Sequence, residues 1–246
     1  MTGTVYLVGA GPGDSKLITL RAVELIKKSD VVLYDRLISK KILAMIPKKT
    51  KKVYVGRAVG DDYRHQESTN DLMLKYAKIK KNIVRLKGGD PIIFGRGGEE
   101  AEYLKKHKIK FEIIPGITSG IGSATYSGIP LTHRKFASSV VFVTGHEDPL
   151  KSKEAVKWKR LANSVDTIVI MMGLSRIEII CQHLILGGMD KKTPVAVIQD
   201  GTTKKHKMIT GNVSNISKLV IQKKIKPPSI IIIGKVVNLS KTIGWK

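Results

Sequence analysis

Residues 86–100 read LKGGDPIIFGRGGEE, and they follow an apolar run at 83–86 and precede a helix-like segment. A strand, a glycine loop and a helix in this order form the usual ligand site of open α/β sheets. Gly88 and Gly89 permit positive φ angles and let a ligand approach the backbone. Asp90 adds a carboxylate at the tip of the loop. The stretch therefore predicts an α/β fold with a ligand site, and an ordinary turn-rich connection is the alternative.

The first half of the chain alternates short apolar runs with amphipathic segments. The runs lie at 4–8, 31–34, 53–55, 83–86 and 111–114. Continuous apolar strands alternating with helices indicate a parallel sheet, whose strand ends open on one edge. That edge would gather Pro12, Asp35, Arg57, Asp90 and Arg96.

Two segments between these runs predict helices. In the first, Leu17, Leu20, Val23 and Ile26 recur at every third position, which places them roughly on one face. The second covers 66–80. Both are expected to pack on the sheet.

Pro115–Gly116 predicts a hinge between an N-terminal α/β domain, 1–115, and a C-terminal α/β domain, 116–246. The second domain has a small-residue segment, TSGIGSAT, and a possible hairpin at 201–210 that would make its sheet mixed. Its strands are expected at 140–143, 167–171, 195–198, 207–210 and 229–233, and its helices at 177–186 and 213–220, with a basic helix or loop at 153–163.

The composition limits the class of protein. Net charge is +24, carried by 35 lysines and nine arginines, which indicates either an anionic partner or a compositional drift toward lysine. No apolar run approaches the ~20 residues of a membrane span, and the N-terminus lacks the basic flank of a secretory signal. The single cysteine, Cys181, excludes an internal disulfide and suits a cytoplasmic location.

The sequence lacks the motifs of several common kinds of binding and catalytic site. The turn GAGPGD at 9–14 has Asp14 where a dinucleotide fingerprint has glycine, and no phosphate-loop sequence is present. None of the six histidines has zinc-ligand spacing, so no metal site is expected. No G-x-S-x-G elbow is present. Aromatic residues make up 5% and are not interleaved with arginines, which argues against a groove for single-stranded nucleic acid.

The longer motifs resemble a known family. VYLVGAGPGD, VVLYDRLIS, RLKGGDPIIFGRGGEE, PGITSGIGSATYSGIPLTHR, VTGHE and MMGL occur in this order and cover nearly the whole chain. The chain resembles the uroporphyrinogen-III C-methyltransferase branch of the tetrapyrrole (precorrin) methyltransferase family.

The resemblance implies two α/β domains, an N-terminal parallel sheet and a C-terminal mixed sheet. It also implies S-adenosyl-L-methionine (SAM) in the cleft between the domains, and a homodimer. SAM would be the methyl donor, leaving S-adenosyl-L-homocysteine as the product. The cofactor-binding residues that the motifs imply are Pro12, Gly88, Gly89, Asp90, Ile93, Thr118, Ser119, Met172 and Gly201.

The implied reaction is methylation of two pyrrole carbons of uroporphyrinogen III to precorrin-2, for sirohaem or cobalamin biosynthesis. Asp35 stands where the family's proposed base stands, and Arg57 stands where relatives usually have a lysine as proton donor. Because arginine is effectively never deprotonated in proteins, we expect Arg57 to bind a substrate carboxylate instead. The residues expected to bind the substrate's carboxylates or to orient those that do are Arg36, Arg96, Glu99 and Arg134.

Three alternatives stay open at this stage. The chain could be another tetrapyrrole methyltransferase of the family, or an RNA methyltransferase, which only the charge favours. A nucleic-acid-binding protein without catalysis is the third. The excess of lysine over arginine and the collinear motifs argue against the last two, so we expect no nucleic-acid or membrane partner.

Overall fold

The computed structural model describes residues 3–56, 64–79, 81–145 and 156–245. Contacts divide the chain into two compact units, Met1–Ser119 and Gly120–Lys246. The division falls shortly after the expected hinge at Pro115–Gly116. Among the described residues, no helix combines the length and apolarity that a bilayer crossing requires.

The described residues of the first unit contain one five-stranded sheet. Its strands are β1 (Thr4–Gly9), β2 (Val31–Tyr34), β3 (Lys51–Tyr54), β4 (Ile83–Lys87) and β5 (Lys110–Ile114). They are ordered β3-β2-β4-β1-β5, and every neighbouring pair is parallel. The prediction of a parallel N-terminal sheet is therefore confirmed, and the carboxyl ends of its strands share one edge.

Helices cover both faces of this sheet. They are α1 (Leu20–Lys28), α2 (Lys40–Leu43), α3 (Arg64–Lys78) and α4 (Gly97–Lys106), with a 3-10 turn at Ser15–Leu17. Val84 and Leu86 pack in the same core as α1 and α2, whereas Ile83 packs with α3 and α4. Because side chains alternate along a strand, Arg85 and Lys87 face the α3 and α4 side.

The expected apolar face of the first helix is wrong in one respect. Leu20 is 90% exposed, and the buried residues of α1 are Ala22, Leu25 and Ile26. Leu17 belongs to the separate 3-10 turn, and the Thr19 hydroxyl caps α1 by accepting the amide of Ala22. The helix therefore begins later than the leucine spacing suggests, and Leu20 occupies its exposed first turn.

The second unit contains a mixed five-stranded sheet among its described residues, as the possible hairpin predicted. The strands are β6 (Val140–Thr144), β7 (Thr167–Met171), β8 (Pro194–Gln199), β9 (Lys207–Asn212) and β10 (Ser229–Ile233). In the order β6-β7-β10-β8-β9, the first pair is parallel and the remaining three are antiparallel.

The helices of this unit again cover both faces of the sheet. They are α5 (Ser119–Tyr126), α6 (Trp158–Leu161), α7 (Ile177–Leu186), α8 (Ile216–Gln222) and α9 (Ser240–Ile243), with 3-10 turns at Leu174–Arg176 and Lys235–Leu239. Helices α6, α7 and α8 pack in one core on one face of the sheet. Helix α5 packs in a second core on the opposite face. Helix α6 falls within the basic segment expected at 153–163, of which 153–155 lie outside the described residues.

Lysine recurs at the sheet edges. The edge strands are β3 and β5 in the first sheet and β6 and β9 in the second. Lys51, Lys110 and Lys207 are the first residues of β3, β5 and β9, and each is exposed.

Candidate active site

The loops that follow β1, β4 and β5 touch through their backbones. Gly11 donates to the carbonyl of Gly89 (N···O 3.1 Å), and Gly89 donates to the carbonyl of Gly11 (2.8 Å). A Cβ on Gly116 would lie 2.9 Å from the Cα of Gly9, closer than real Cβ atoms come, so this approach requires glycine. Three neighbouring strand ends thus form one continuous glycine-lined surface.

Asp90 ties two of these loops together. Its Oδ1 accepts the amides of Ile92 (2.8 Å) and Ile93 (3.2 Å), and its Oδ2 accepts the amide of Gly116 (3.0 Å). The residue is buried. Hydrogen bonds to a carboxylate are stronger than neutral ones. The carboxylate that the sequence suggested for ligand contact therefore also fixes the shape of the loop.

The other predicted cofactor residues of the first unit lie on the same loops. Pro12 is half-buried in the turn after β1, Ile93 is exposed on the loop after β4, and Ser119 begins α5. Thr118 lies against Gly89, since a Cβ on that glycine would meet the Thr118 Cα at 3.7 Å. The buried Thr118 hydroxyl has no hydrogen-bond partner among the described residues. A buried polar group in this state is suited to a ligand.

Asp35 belongs to a buried cluster of four charged side chains. Arg85 Nη2 donates to Asp35 Oδ1 (2.9 Å), and Arg85 Nε donates to Glu100 Oε1 (3.1 Å). Lys87 Nζ donates to the same Glu100 oxygen (2.9 Å). Two cations and two anions from β4, α4 and the end of β2 thus meet, and we call this set the charged quartet.

Within the charged quartet, only the Asp35 side chain is appreciably exposed to solvent. The exposed side-chain fractions are 5% for Arg85, 4% for Lys87, 0% for Glu100 and 29% for Asp35. Burial alone lowers the pKa of Arg85, but Glu100 and Asp35 outweigh it and raise that pKa. Burial and the neighbouring Arg85 lower the pKa of Lys87. Asp35 is therefore the member through which the cluster reaches solvent.

Sequence reasoning placed Asp35 at a strand end but missed its three partners. Arg85 was included in an apolar run, and Lys87 and Glu100 were not singled out. The available signal was the spacing of Arg85 and Lys87, two positions apart in a buried strand, which puts both on one face. Buried cations of this kind require carboxylate partners.

The predicted substrate residues of the first unit are spread along the same sheet edge. Arg36 is exposed and is the second residue after β2. Arg96 directly precedes α4 with φ at 60° and forms an ion pair with Glu99 (3.7 Å). Arg57 lies outside the described residues.

In the second unit, Met172 and Gly201 follow β7 and β8. The carboxyl ends of these strands lie at the same edge of the sheet, since Met171 pairs with Ile230 and Gln199 pairs with Ser229. A Cβ on Gly201 would overlap with the side chain of Ser123 on α5, so glycine is required there.

Arg134 is exposed in a turn closed by the bridge between His133 and Ala137. The residues before it, 128–132, line an apolar groove of about 570 Å³ together with Ile243 and Trp245. The Arg134 side chain is accessible to a ligand in this turn.

Strained backbone concentrates at the strand-end loops. Seven described non-glycine residues have positive φ, and five of them lie in loops named above or directly beside them: Phe94, Arg96, Met172, Asp200 and Thr202. Such conformations cost on the order of 1–3 kcal/mol each and cluster at functional sites.

Comparisons with known proteins show which family the chain resembles. Residues 4–217 match the family described as Tetrapyrrole (Corrin/Porphyrin) Methylases. A uroporphyrinogen-III C-methyltransferase of Bacillus subtilis is 49% identical over 243 residues, which are 99% of this chain and 94% of that protein. A siroheme synthase of Nitrosospira multiformis is 47% identical over 244 residues, 99% of this chain. The chain spans 51% of that siroheme synthase, about half its length.

Solved structures give the same result. A uroporphyrin-III C-methyltransferase from Thermus thermophilus, crystallised with S-adenosyl homocysteine, aligns with a TM-score of 0.83 and 38% identity, covering 96% of this chain and all of that one. A cobalt precorrin-4 methyltransferase of cobalamin biosynthesis aligns with a TM-score of 0.85 and 26% identity, covering 95% of each chain. With a family match across most of its length and relatives that align from end to end, the chain belongs to the tetrapyrrole (corrin/porphyrin) methylases.

Proposed function

We propose that this chain methylates two pyrrole carbons of uroporphyrinogen III with SAM, giving precorrin-2 for sirohaem or cobalamin biosynthesis. The observation that carries the proposal is the end-to-end likeness to uroporphyrinogen-III C-methyltransferases, of which the chain covers 94% and 100% in two relatives. Another tetrapyrrole methylation is the second candidate, favoured by the likeness in fold to a precorrin-4 methyltransferase.

The residues of the glycine-lined surface fit the proposed cofactor. The buried Thr118 hydroxyl can donate or accept a hydrogen bond, and the glycines leave backbone groups accessible. When bound, SAM supplies an electrophilic methyl group on a sulfonium sulfur. The residues proposed to hold it are Pro12, Gly88, Gly89, Asp90, Ile93, Thr118, Ser119, Met172 and Gly201.

Arginines are proposed to bind the carboxylate arms of the tetrapyrrole. A guanidinium pairs with a carboxylate through two parallel hydrogen bonds, which fixes orientation as well as position. Arg36 and Arg134 are exposed and accessible for such pairing. Arg96 forms an ion pair with Glu99 (3.7 Å), and Arg57 is proposed to bind a carboxylate in the same way.

Asp35 is proposed as the base. Transfer of a methyl cation to a neutral pyrrole leaves a cationic ring, which must release a proton to give a neutral product. A partly exposed carboxylate, which is 29% exposed here and accepts a hydrogen bond from Arg85, can accept that proton. Arg57 is not assigned a proton-transfer role, because a guanidinium stays protonated.

The assembly and location are also proposals. The protein is proposed to act as a homodimer in the cytoplasm. The first rests on the family resemblance, and the second on the single cysteine.

The test is an anaerobic incubation with SAM and enzymatically generated uroporphyrinogen III, followed by mass spectrometry of the oxidised products. Addition of two methyl groups is expected. A product with one methyl group, or none despite measured SAM binding, would overturn the assignment and direct attention to other tetrapyrroles.

Because the chain is highly positively charged, the same experiment should also test RNA as a methyl acceptor. Methyl transfer to RNA, together with a log-linear loss of RNA affinity with salt, would favour an RNA methyltransferase. Weak RNA retention without methyl transfer is expected of a lysine-rich surface and would argue against RNA as the methyl acceptor.

A further inference from the structure

The charged quartet contains a guanidinium that bridges two carboxylates in different directions. Nε of Arg85 donates to Glu100 on α4, and Nη2 donates to Asp35 at the end of β2. Nη1 has no hydrogen-bond partner among the described residues. The orientation of the guanidinium plane is therefore set by these two carboxylates, and the position of Asp35 is coupled to that of α4.

Glu100 is itself held in place. Its Oε1 accepts both Arg85 Nε and Lys87 Nζ, and its side chain is fully buried. A fixed Glu100 fixes the fork of Arg85, because the guanidinium is planar and rigid. Asp35 is the other carboxylate of the charged quartet, and it lies directly after β2. Within the quartet, the hydrogen bond from Arg85 Nη2 holds its side chain.

We propose that Arg85 is a positioning residue, which holds the Asp35 carboxylate in the orientation that accepts the proton released on methylation. This inference rests on the proposed function of Asp35. Arg85, Lys87 and Glu100 are too deeply buried to touch a substrate from their present positions. They act on the reaction through Asp35.

The test compares Arg85→Lys with the unchanged protein. Lysine keeps the positive charge but cannot bridge Asp35 and Glu100 with a planar fork. We expect kcat to fall about 10- to 100-fold, the size of effect that a small misplacement of a reacting group produces. KM for the tetrapyrrole and Kd for SAM should stay unchanged, because no binding contact is removed.

The chain offers a matched control in Arg21. It also bridges two carboxylates, Glu24 and Glu112, with N···O distances of 3.0 and 3.1 Å, but it is 47% exposed and lies on α1. Arg21→Lys makes the same chemical change away from Asp35. It should leave kcat, KM and Kd unchanged.

A double-mutant cycle separates positioning from a structural role. In an Asp35→Asn background, Arg85→Lys is expected to cause no further loss of kcat, because the group that it positions is already gone. Multiplied losses would show that Arg85 acts independently and would overturn the proposal. So would wild-type kcat in Arg85→Lys alone.

Two further measurements keep the outcome decisive. If Arg85→Lys does not fold, Glu100→Gln replaces it; it removes the charge that fixes Arg85, and the same loss of kcat is expected. Wild-type protein that fails to methylate the tetrapyrrole would instead refute the proposed function, and Asp35→Asn with full kcat would refute the base role of Asp35. An inactive Asp35→Asn beside a fully active, folded Arg85→Lys would refute the positioning role alone.

Discussion

Gly89 sits at φ +68° with its amide donating to the carbonyl of Gly11, which is itself at φ +76°. Each residue thus uses a left-handed conformation to complete the same pair of hydrogen bonds. The pairing joins the loops after two adjacent parallel strands, so both turns depend on it.

Replacing Gly89 should therefore strain the backbone. Space is available, since a Cβ there would have its nearest contact at 3.5 Å. The positive φ is the obstacle, and Gly89→Ala is expected to lower the free energy of unfolding by about 1–2 kcal/mol. Gly98→Ala is the control: it lies in the first turn of α4, where a Cβ would have no atom within 4 Å, and it should leave the free energy of unfolding unchanged or slightly higher. Thermal unfolding of both variants measures the difference.

Asp90→Ala removes the acceptor of three amides, those of Ile92, Ile93 and Gly116. Loss of a charged hydrogen-bond acceptor costs about 1.5–3 kcal/mol, so we expect SAM affinity to fall on the order of 10- to 100-fold as the loop loses its shape. Calorimetric titration with SAM gives Kd. Asp90→Asn, which keeps one acceptor oxygen, should lose less affinity, and equal losses would contradict the loop-shaping role.

Arg134→Ala should mainly impair turnover of the tetrapyrrole. Its exposed guanidinium is proposed to bind a carboxylate arm, so KM should rise by about tenfold, the value of one charge-assisted contact. SAM affinity should not change. Lys135→Ala, the exposed neighbour, is the matched control for loss of one positive charge. Equal kinetics in the two variants would refute a specific role for Arg134.

Asp166 makes a pH-dependent contribution to stability. Hydrogen bonds from the Ser139 hydroxyl and from the amides of Ser138 and Ser139 hold the pKa of its carboxyl below the usual 3.8. The stabilisation is present above that value and is lost as the pH falls through the lowered pKa. Asp166→Ala should therefore lower the Tm at neutral pH, and the difference from wild type should shrink in acid. A constant difference at all pH values would contradict this.

Cys181 should be inert in the folded protein. Burial raises the pKa of its thiol to about 12, so little thiolate forms near neutral pH. Iodoacetamide should alkylate it slowly in native protein and rapidly in denaturant, as followed by mass spectrometry. Rapid labelling of the folded chain would show that the helix carrying it, α7, opens readily.

Strong periodicity and turn signals made much of the fold predictable. Helix α7 and strands β2, β7 and β10 have the bounds that the apolar runs indicated. Helix α8 was expected at 213–220 but begins at Ile216, because Asn212 accepts the amides of Ser214 and Asn215 in a turn first. Such local side-chain bonds compete with the helix and are hard to see in a pattern of apolar residues.

The positions of the candidate site residues could be predicted where these residues follow strands, whereas the contacts of a residue inside a strand could not. Asp35 follows an apolar run directly, and Asp90 lies at the tip of the glycine loop after the next strand of the sheet, which is why sequence reasoning selected them. Arg85 lies inside its strand, and its meaning depends on Glu100, fifteen positions later on α4. A pairing across that distance requires the packed fold, since neither residue's spacing reveals the other.

The lysines that begin β3, β5 and β9 bear on how the molecule behaves in a crowded solution. An exposed edge strand offers unpaired backbone groups to any other strand, and a charged side chain there makes side-by-side joining unfavourable because the charge would be desolvated. Lys51, Lys110 and Lys207 thus act against aggregation. Part of the large positive charge consequently opposes edge-to-edge strand pairing between copies of the chain, independently of any anionic ligand.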